Sequence, residues 1–551
     1  MKKRLEALLQ HALSQAIEGG ALKSDSLPPL LFEVPKNPAF GDLASAIALG
    51  LARAERRAPR QIAETIHGFI ADPDGLLAGV DVEGPGYLNF RFSLKFWGDT
   101  LADIGEHDGP LAFNDIGQGK KVQVEFVSAN PTGPLTVGHG RNAVLGDAIA
   151  RLLEATGHQV TREYYFNNAG RQMKLLGESV KARYLEQLGD TITFPEDGYQ
   201  GEYIREIAGT LISEHSDRLR DEPAAGRFKD VAERAIFADI EQTLGRVGIH
   251  FDVYFNEDTL YKGGQIAAVL EALRARQLAF DRDGAVWLAG EALELDKDRV
   301  LVKSTGEPAY RLPDIAYHQD KLRRGFDLII DVLGADHIAE HEEVKAAIKA
   351  LGLPAEKIHS IIYQFVTLTR GGVQVKMSTR RAEYVTVDEL LDEVGADVVR
   401  VFFLTRRADS HLEFDLDLAK KQSSDNPVFY VQYAHARIHS LFKQATAAGA
   451  KLAPAAASHL ETLTAPEELA VMKLLARYSD TVEDAARGFE PHRVVFYLME
   501  LAGEFHRFYN SHRILTDDLA RTAARLYLAH AVRKVLHSGL GLLGVHAPES
   551  M

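Results

Sequence analysis

Residues 121–139, KVQVEFVSANPTGPLTVGH, contain the pattern that decides the fold of this chain. Apolar and polar residues alternate over 121–128, as they do in a β-strand with one buried face. A turn rich in Pro and Gly follows at 130–138, and apolar residues then recur at helical spacing over 139–153. With a second strand at 160–166, this stretch predicts a βαβ unit.

The same alternation of strand and helix returns later in the chain. Residues 327–333 predict a strand, 339–351 a helix and 358–368 another strand. A mainly helical insertion at about 175–260 separates this block from the βαβ unit. Together the two blocks predict a Rossmann-like, doubly wound parallel sheet in a catalytic domain at 113–414.

Two further domains are expected on either side of this sheet. Residues 1–112 combine helical apolar spacing with a short strand near 86–92, which predicts a small α/β domain. From about residue 415 the strand patterns disappear, so residues 415–551 predict a helical bundle. Its amphipathic helices are expected at 428–443, 467–487, 492–509 and 519–536. The expected fold class is therefore multidomain, α/β followed by all-α.

Composition narrows the class of protein. The chain has 551 residues, too many for one core, and its 46% hydrophobic and 26% charged residues are typical of water-soluble globular proteins. No run approaches the roughly 20 apolar residues of a membrane span. Polar residues also interrupt the N-terminal segment where a signal peptide would have its apolar core. We therefore expect a cytoplasmic protein that does not bind membranes.

The absence of cysteine and the net charge exclude further classes. Without cysteine the chain can have no disulfide, no thiolate zinc site and no cysteine nucleophile. The net charge of -15 argues against an indiscriminate nucleic-acid binder, because neutralising phosphates supplies most nonspecific affinity. A single basic face that contacts RNA remains compatible with this charge.

The turn before the predicted helix suits a nucleoside triphosphate. A helix N-terminus offers unpaired amides and the positive end of a dipole to phosphates. Gly138 lets a flat base approach the backbone, and His139 can donate a hydrogen bond to a phosphate oxygen as charge develops. An ordinary turn with a surface histidine is the alternative. The candidate ATP-binding residues here are Pro131, Thr132, Gly133, Thr136, Gly138 and His139.

A second candidate phosphate-binding segment follows the Gly371-Gly372 pair, which predicts a hairpin turn. A loop that brings Lys376 and Arg380 onto a leaving pyrophosphate, opposite His139, would stabilise the spreading negative charge. Met377 lies in the same segment and is a further candidate ATP contact. The predicted catalytic residues are His139, Lys376, Ser378 and Arg380.

The two segments resemble the HIGH and KMSKS signatures of class I aminoacyl-tRNA synthetases. Two positions depart from those signatures: Thr136 replaces the first histidine, and Thr379 replaces the second lysine. The hydroxyl of Thr136 can still donate a hydrogen bond. The charge lost at Thr379 must come from Arg380 or from a lysine elsewhere in the chain.

The surrounding sequence resembles one family of that class, the arginyl-tRNA synthetases. The resemblance runs from residue 38 to residue 551. It rests on the segments PAFGD (38–42), EFVSANPTGP (125–134), YQGEY (199–203), YRLPDIAY (310–317), GADH (334–337), MSTR (377–380), NPVFYVQYAHAR (426–437) and LLGVHAPESM (542–551). It implies an enzyme that activates L-arginine with ATP and transfers it to the 3′ end of tRNA(Arg).

The resemblance also implies an arginine-binding site. By position, Glu125 and Asp314 would face the guanidinium, and Tyr310 would hydrogen-bond to it. Asn130 would hold the α-amino or carboxylate end of the amino acid. Paired carboxylates suit a guanidinium because its planar fork of donors binds them bidentately. Alternatively, Asp314 is a helix N-cap and Glu125 an outward-facing, solvated carboxylate.

Contacts with tRNA are implied at both ends of the chain. In the N-terminal domain, Tyr87 and Asn89 resemble the element that reads the D-loop, and their spacing places both side chains on one face of a strand. A core position is the alternative for Tyr87. In the bundle, aromatic residues at helical spacing mostly belong to the core, so we expect only one or two to touch RNA. The candidates are Tyr430, Gln432, Tyr433 and Tyr509, together with Phe505 and Phe508.

We therefore expect an arginine–tRNA ligase that uses ATP with Mg²⁺ as its substrate complex and needs no tightly bound cofactor or metal. Its expected partners are tRNA(Arg), L-arginine and ATP, and it is expected to be a monomer. Three alternatives remain: a class I synthetase for another amino acid, a nucleotidyltransferase that does not use tRNA, and a noncatalytic RNA-binding relative. Asp314 and Tyr310 argue against another amino acid as the substrate. The terminal domains argue against a nucleotidyltransferase that does not use tRNA. His139 and Lys376 argue against the third.

Overall fold

The structure, a computed structural model, describes residues 1–24, 26–109, 111, 113, 115–375 and 385–551. An α/β N-terminal part, a central parallel sheet and a helical C-terminal part follow one another along the chain. The predicted fold class is confirmed. No helix within these described ranges is long and apolar enough to cross a bilayer.

The N-terminal part is an antiparallel sheet covered by helices. Its elements are α1 (Lys2–Glu18), β1 (Phe32–Glu33), β2 (Leu43–Ser45), α2 (Ile47–Glu55), α3 (Pro59–Gly68), β3 (Leu77–Glu83), β4 (Tyr87–Phe92) and α4 (Leu94–Glu106). The strand order is β1-β2-β4-β3. Leu5, Leu9 and Leu13 recur at helical spacing on α1 and are fully buried, as are Leu88 and Phe90 on β4. The alternation on β4 leaves its other face for a separate role.

The central part contains the predicted doubly wound sheet. Its elements in chain order are β5 (Lys121–Glu125), α5 (Val137–Ala155), β6 (Gln159–Phe166), α6 (Gly170–Gln187), α7 (Glu202–His215), α8 (Lys229–Arg246), β7 (Val253–Asn256), α9 (Asp258–Lys262), α10 (Gln265–Ala275), β8 (Ala279–Arg282), β9 (Ala285–Leu288), β10 (Arg299–Val302), α11 (Arg311–Arg323), β11 (Leu328–Gly334), α12 (Ile338–Ala350), β12 (Ile358–Tyr363), β13 (Val366–Arg370), β14 (Val373–Gln374), α13 (Val387–Val394), α14 (Ala396–Phe403) and β15 (Leu412–Asp415). Five parallel strands pair in the order β12-β11-β5-β6-β7. The winding reverses between β5 and β11, as in doubly wound nucleotide-binding folds.

Two features of this part differ from the sequence analysis. The antiparallel sheet β10-β9-β8 was not predicted, because strands of four residues are too short to show a clear alternation. The single strand predicted at 358–368 is wrong, since β12 joins the parallel sheet whereas β13 pairs with β14 and β15. The chain changes sheets at Gln364, whose carbonyl accepts a hydrogen bond from buried Arg141 at 2.5 Å.

The C-terminal part is the predicted helical bundle. Its helices are α15 (Leu416–Ala419), α16 (Pro427–Ala447), α17 (Pro466–Gly488), α18 (His492–Ser511) and α19 (Leu519–Leu542). The four long helices include every residue predicted for them. Their apolar stripes meet in one core, where Ala434, Leu501, Phe505 and Val535 are fully buried.

Candidate active site

The carboxyl ends of β5 and β11 bound the crevice at which the strand order reverses. Ligands of doubly wound folds bind at this place. Asn142 on α5 ties the two strands together: its Oδ1 accepts a hydrogen bond from the amide of Val127 at 2.7 Å, and its Nδ2 donates to the carbonyl of Val332 at 2.9 Å. A buried side chain of the first motif helix therefore holds the two sides of the crevice together.

His139 is oriented by the residue that caps α5. Thr136 is the N-cap residue, and its amide donates a hydrogen bond to Nδ1 of His139 at 3.1 Å. Because Nδ1 accepts this bond, the neutral ring carries its proton on Nε2. Burial lowers the pKa of His139, which favours the neutral ring. The atom available to donate to a phosphate is thus Nε2.

The predicted ATP-binding turn is braced by the helices inserted after β6. Tyr203 is the second residue of α7, and its hydroxyl donates to the carbonyl of Thr132 at 2.7 Å. Within the turn, the amide of Thr132 donates to the carbonyl of Asn130 at 2.7 Å. Pro131 is buried and Gly133 is partly exposed. Tyr203 therefore fixes the turn on the side of α7, and the turn is partly open to solvent at Gly133.

Gly138 has the open surroundings that its predicted role requires. A Cβ atom added at Gly138 would have only Oγ1 of Thr136 within 4 Å, at 3.8 Å. The next glycine of the helix differs, because a Cβ atom at Gly140 would lie 3.0 Å from Val387. Gly138 thus leaves room for a flat group near the backbone, whereas Gly140 serves close packing.

The second motif falls mainly outside the described residues. The predicted contacts Lys376, Met377, Ser378 and Arg380 lie there, as does Thr379. The hairpin that leads to them is described: β13 and β14 pair in antiparallel register, with Gly371 and Gly372 at φ 59° and 72° between them. This is the predicted two-residue turn, which requires the left-handed conformations that glycine tolerates.

The chain that follows the second motif is attached to the first. The amide of Val137, the first residue of α5, donates to the carbonyl of Val385 at 3.3 Å. The amide of Val387 donates to the carbonyl of Leu135 at 2.8 Å. These bonds form a short antiparallel bridge, so residues 385–387 lie beside the N-terminus of α5, the helix of His139.

Asp314 lies in the first turn of α11 among other carboxylates. Tyr310, rather than Asp314, occupies the N-cap position, so the N-cap alternative for Asp314 is wrong. Burial raises the pKa of Asp314 well above its usual value, and the carboxylates of Glu340, Glu257 and Glu125 raise it further. A group of carboxylates of this kind favours a cationic ligand, and we call Asp314, Glu340, Glu257 and Glu125 the acidic pocket.

Glu257 is a pocket residue that the sequence analysis missed. It follows β7 directly and is only 6% exposed. The hydroxyl of Tyr165 donates to its Oε2 at 2.5 Å, and Nδ2 of Asn167 donates to its Oε1 at 2.8 Å. Burial raises the pKa of Glu257. Its position at the carboxyl end of a parallel strand is the signal that could have identified it.

Glu125 is buried and paired with a lysine. It is the last residue of β5 and is 8% exposed, so the solvated alternative is wrong. Its Oε2 accepts a hydrogen bond from the ammonium of Lys321 at 2.5 Å, and its Oε1 accepts from the hydroxyl of Ser128 at 2.8 Å. Glu125 therefore already forms an ion pair with a protein cation, whereas Asp314 and Glu257 form none within the part of the chain that the structure describes.

The two remaining arginine-site candidates differ in exposure. Tyr310 is 70% exposed, one helical turn before Asp314. Asn130 is engaged with the chain after β6: its Oδ1 accepts from the amide of Asn167 at 2.9 Å, and its Nδ2 donates to Gln172 at 2.9 Å. One hydrogen on Nδ2 of Asn130 is left for another acceptor.

Within the described part of the chain, one group of side chains has the spacing of metal ligands: His318, Asp331 and His341, all buried. Oδ2 of Asp331 lies 3.1 Å from Nε2 of His318 and 3.6 Å from Nε2 of His341. The other oxygen of Asp331 accepts a hydrogen bond from Lys321 at 2.6 Å. This carboxylate is therefore already paired with an ammonium, and we assign no metal to the group.

The two D-loop candidates differ in accessibility. Tyr87 and Asn89 alternate on β4 with buried Leu88 and Phe90, so both lie on the opposite face of the strand. Tyr87 is partly exposed, whereas Asn89 is only 4% exposed. Asn89 is therefore not open to RNA in this structure, contrary to the expectation that both side chains are accessible on this face.

Three of the bundle candidates, Tyr430, Tyr433 and Tyr509, lie on a surface between α16 and α18. The guanidinium carbon of Arg437 is 4.8 Å from the ring centres of both Tyr433 and Tyr509. Tyr433 is 39% exposed, and the ring of Tyr430 packs on His506 with their centres 5.1 Å apart. We call this set, residues 430, 433, 437, 506 and 509, the aromatic–arginine surface.

The remaining bundle candidates have structural roles. Nε2 of Gln432 donates to Asp397 at 2.8 Å and to the carbonyl of His546 at 2.9 Å, and only 9% of Gln432 is exposed. Phe505 and Phe508 are fully buried, so the core alternative is correct for them. These three residues fasten the bundle and its C-terminal segment.

Three family models match the chain. The description "Arginyl tRNA synthetase N terminal domain" matches residues 3–92, and "tRNA synthetases class I (R), catalytic domain" matches residues 106–403. "DALR anticodon binding domain" matches residues 431–551. The matched regions include the N-terminal sheet, the central sheet with its acidic pocket, and most of the bundle.

Similar proteins span the whole chain. An "Arginine--tRNA ligase" of Desulfotalea psychrophila is 50% identical over 551 residues, and one of Syntrophotalea carbinolica is 46% identical over 554 residues; both alignments cover 100% of each chain. A solved "putative arginyl t-RNA synthetase" from Campylobacter jejuni has a TM-score of 0.76 at 30% identity and covers 84% of this chain and 100% of its own. The Thermus thermophilus arginyl-tRNA synthetase shares the fold, with a TM-score of 0.77 at 24% identity and 100% of both chains covered.

Proposed function

This chain belongs to the arginyl-tRNA synthetase family, and on that premise we infer its function. It is an arginine–tRNA ligase of class I, which activates L-arginine with ATP and transfers the arginyl group to the 3′ end of tRNA(Arg). The α-carboxylate of arginine attacks the α-phosphate of ATP, which forms arginyl-adenylate and releases pyrophosphate. The terminal ribose hydroxyl of the tRNA then attacks the carbonyl carbon and releases AMP.

The acidic pocket is the observation that supports arginine as the amino acid. We propose that Asp314 and Glu257 bind the guanidinium, since neither forms an ion pair with a protein cation among the described residues, although Lys321 lies near enough to Asp314 to lower its pKa in part. Two carboxylates match the planar fork of donors on a guanidinium better than the single-point ammonium of lysine. Tyr310, one turn away, would donate or accept a further hydrogen bond, and Asn130 would hold the α-amino or carboxylate end.

The α5 N-terminus is the proposed ATP site. The residues from Pro131 to Gly138 would surround the nucleotide, with the helix dipole facing the phosphates. Nε2 of His139 is directed to donate to the phosphate as negative charge builds up during displacement. The Nδ1 bond from Thr136 supports this role because it keeps the ring in one orientation with its donor outward.

Lys376, Ser378 and Arg380 are proposed to stabilise the leaving pyrophosphate from the other side, with Met377 against the nucleotide. The support is the bridge between Val385 and Val137, which brings the described end of that segment beside the helix of His139. ATP would bind with Mg²⁺, which neutralises phosphate charge in reactions of this type. The protein contributes position and charge complementarity.

Recognition of tRNA is proposed for the two terminal domains. We propose domain limits at 1–112, 113–414 and 415–551, with D-loop contact through Tyr87 and anticodon contact through the aromatic–arginine surface. Exposed rings and a guanidinium can stack on unpaired bases, which is how proteins usually read single-stranded RNA. Asn89 would reach RNA only after local rearrangement.

We also propose that the enzyme works as a monomer in the cytoplasm. One chain contains a nucleotide site, an amino-acid pocket and candidate RNA surfaces at both ends, so the reaction as proposed needs no residue from a second copy. Analytical ultracentrifugation at micromolar concentration should give a single species near the mass of one chain, 60.8 kDa. A predominant dimer would contradict the monomer proposal alone.

The test of substrate identity is charging of total tRNA with each radiolabelled amino acid. Only arginine should be incorporated, and only with ATP present. The His139→Ala variant serves as the control for a contaminating synthetase, because incorporation should fall with it. Charging with lysine or another amino acid in preference to arginine would overturn the assignment of the acidic pocket.

A further inference from the structure

A row of buried carboxylates crosses three strands of the central sheet directly beneath the acidic pocket. Glu125 on β5 is in register with Asp331 on β11 on one side and with Glu163 on β6 on the other. Glu163 is fully buried, Asp331 is 1% exposed and Glu125 8%. Like charges on neighbouring strands repel, so this row needs cations to be stable.

One helix, α11, supplies those cations at helical spacing. Arg324, the residue after its last turn, donates to both oxygens of Glu163 at 2.5 and 2.7 Å. Lys321 donates to Glu125 at 2.5 Å and to Asp331 at 2.6 Å. Neighbours three and four residues apart lie on one helix face, so the basic face of α11 matches the acidic row of the sheet.

Lys321 is the member of this face that spans the crevice. Its side chain has no solvent exposure, and its ammonium contacts the last residue of β5 and the middle of β11, the two strands between which the winding reverses. It also lies 4.2 Å from the ring centre of Tyr317. Burial lowers the pKa of Lys321, but Asp331 and Glu125 outweigh this and raise it overall, so the ammonium stays charged.

Helix α11 also carries Asp314, one of the two carboxylates proposed to bind the substrate. Asp314 lies seven residues before Lys321, two turns along one face of α11. Where the helix docks on the sheet therefore decides where the Asp314 carboxylate sits relative to Glu257 after β7. A long, buried cation beneath the pocket also keeps Glu125 occupied, so that Glu125 does not compete with Asp314 for the substrate guanidinium.

We propose that Lys321 is the positioning residue of the arginine pocket. Its ammonium joins Glu125 and Asp331 across the crevice, docks α11 on the sheet, and leaves Asp314 and Glu257 as the carboxylates that read the substrate. The proposal rests on the proposed arginine pocket and adds to it the residue that determines its geometry. Lys321 does not touch the reacting atoms.

The test compares arginine binding by calorimetry in the wild type and in Lys321→Met, which keeps the unbranched chain up to the position of Cε and removes the ammonium. Binding should weaken by about 10²-fold or more, the size expected when one partner of a buried ion pair is removed. In charging assays the loss should appear in the KM for arginine rather than for ATP. Unchanged arginine binding by a folded Lys321→Met enzyme would overturn the proposal.

Chemical rescue separates charge from packing. Lys321→Ala leaves a cavity for a three-carbon chain, so propylammonium at millimolar concentration should restore arginine binding at least about tenfold, as buried carboxylates without a partner favour a cation. Its uncharged analogue 1-propanol should not. Equal rescue by both, or rescue by neither, would show that the charge of Lys321 is not what holds the pocket.

The matched control is Arg525→Met in the bundle. Arg525 donates to Glu468 at 2.8 Å, and the two residues are as buried as the crevice pair, at 7% and 2% exposed. This change should lower the melting temperature, leave arginine binding within about twofold of wild type, and show no response to propylammonium. A loss of arginine binding equal to that of Lys321→Met would mean that general destabilisation explains both.

Two more variants address a failure of Lys321→Met to fold and a wrong assignment of the pocket itself. If Lys321→Met does not fold, Lys321→Met with Glu125→Gln removes one of the two carboxylate charges that lose their ammonium; the folded double variant should bind arginine at least about tenfold more weakly than Glu125→Gln alone, and equal binding would overturn the proposal. Asp314→Asn, measured in parallel, tests the pocket itself. Normal arginine binding by Asp314→Asn would refute the proposed pocket, whereas normal binding by Lys321→Met alone would refute only the positioning role.

Discussion

The main-chain amide of Thr136 lies 3.1 Å from Nδ1 of His139, so the imidazole at the start of α5 accepts on one nitrogen and donates with the other. Thr136, which replaces the first histidine of the HIGH signature, thus uses its backbone amide to orient His139, the second histidine. Its side-chain oxygen also lies 3.2 Å from the same nitrogen.

His139→Ala should lower the rate of adenylate formation by about 10², as loss of one preorganised donor does in comparable sites. Arginine affinity should change little, because the ring faces the nucleotide. Single-turnover kinetics of adenylate formation measure the effect. His158→Ala, at the other end of α5, is the control and should keep the wild-type rate; an unchanged rate in His139→Ala would reduce His139 to a structural residue.

The pH dependence of this step follows from the lowered pKa of His139. The neutral ring is the functional donor, so the rate of adenylate formation should stay level as the pH rises from 7 to 8. At acid pH, protonation of Nδ1 breaks the bond from Thr136 and the rate should fall. A rate that instead increases on acidification through pH 6 would indicate that the imidazolium is the active form.

Asp314→Asn keeps the shape of the pocket and removes one charge. Breaking a buried charge pair costs about 3 to 5 kcal/mol, so kcat/KM for arginine should fall by about 10² to 10³. Citrulline, an uncharged near-isostere, should compete poorly with arginine in the wild type and better in the variant. Full arginine efficiency with only a lower melting temperature would leave Asp314 a purely structural role.

Glu257→Gln should have a loss of similar size, since Glu257 is the second proposed carboxylate of the pocket. With the amide oxygen in the place of Oε1, Asn167 can still donate to it, and the Tyr165 hydroxyl can accept from the amide nitrogen, so the change mainly removes the charge. The measurement is kcat/KM for arginine, with Glu340→Gln as the comparison at the edge of the same acidic pocket. An effect below about threefold would remove Glu257 from the site.

Tyr433→Ala tests the aromatic–arginine surface. Stacking on a base contributes roughly 1 to 3 kcal/mol, so the KM for tRNA should rise about tenfold while the KM for arginine stays constant. The control is Phe496→Ala. Phe496 is an aromatic residue on α18, is 51% exposed and lies outside the aromatic–arginine surface, so its removal should leave both constants unchanged. Wild-type tRNA kinetics in a folded Tyr433→Ala enzyme would contradict anticodon contact through this surface.

Stability of the bundle should depend on pH through His435. This side chain is 2% exposed, its Nδ1 donates to the carbonyl of Pro548 at 2.8 Å, and burial lowers its pKa to about 4. Between about pH 4 and 6.5 the unfolded state binds more protons, so stability rises with pH across that window, by up to about 3 kcal/mol. Urea denaturation at several pH values should show a shallower slope in His435→Gln than in the control His11→Gln; identical slopes would exclude His435 as the source.

Local patterns in the chain were sufficient for the order and type of most elements. The alternation at 121–128, the Pro/Gly turn and the helical spacing after His139 led to the βαβ unit, because side-chain period and turn chemistry act over a few residues. The same holds for Gly371 and Gly372, whose pair predicts a hairpin turn. Resemblance to a family added the site residues that such patterns do not reveal, among them Asp314.

The partners of the charged residues were decided by tertiary structure. Glu125 and Lys321 are 196 positions apart, and no local pattern indicates that one ammonium would occupy this carboxylate. Burial of Asn89 and of Gln432 likewise depends on what packs over a strand or helix face. Electrostatic and packing partners meet only when distant elements dock, so the proposal that Glu257 rather than Glu125 reads arginine required the folded chain.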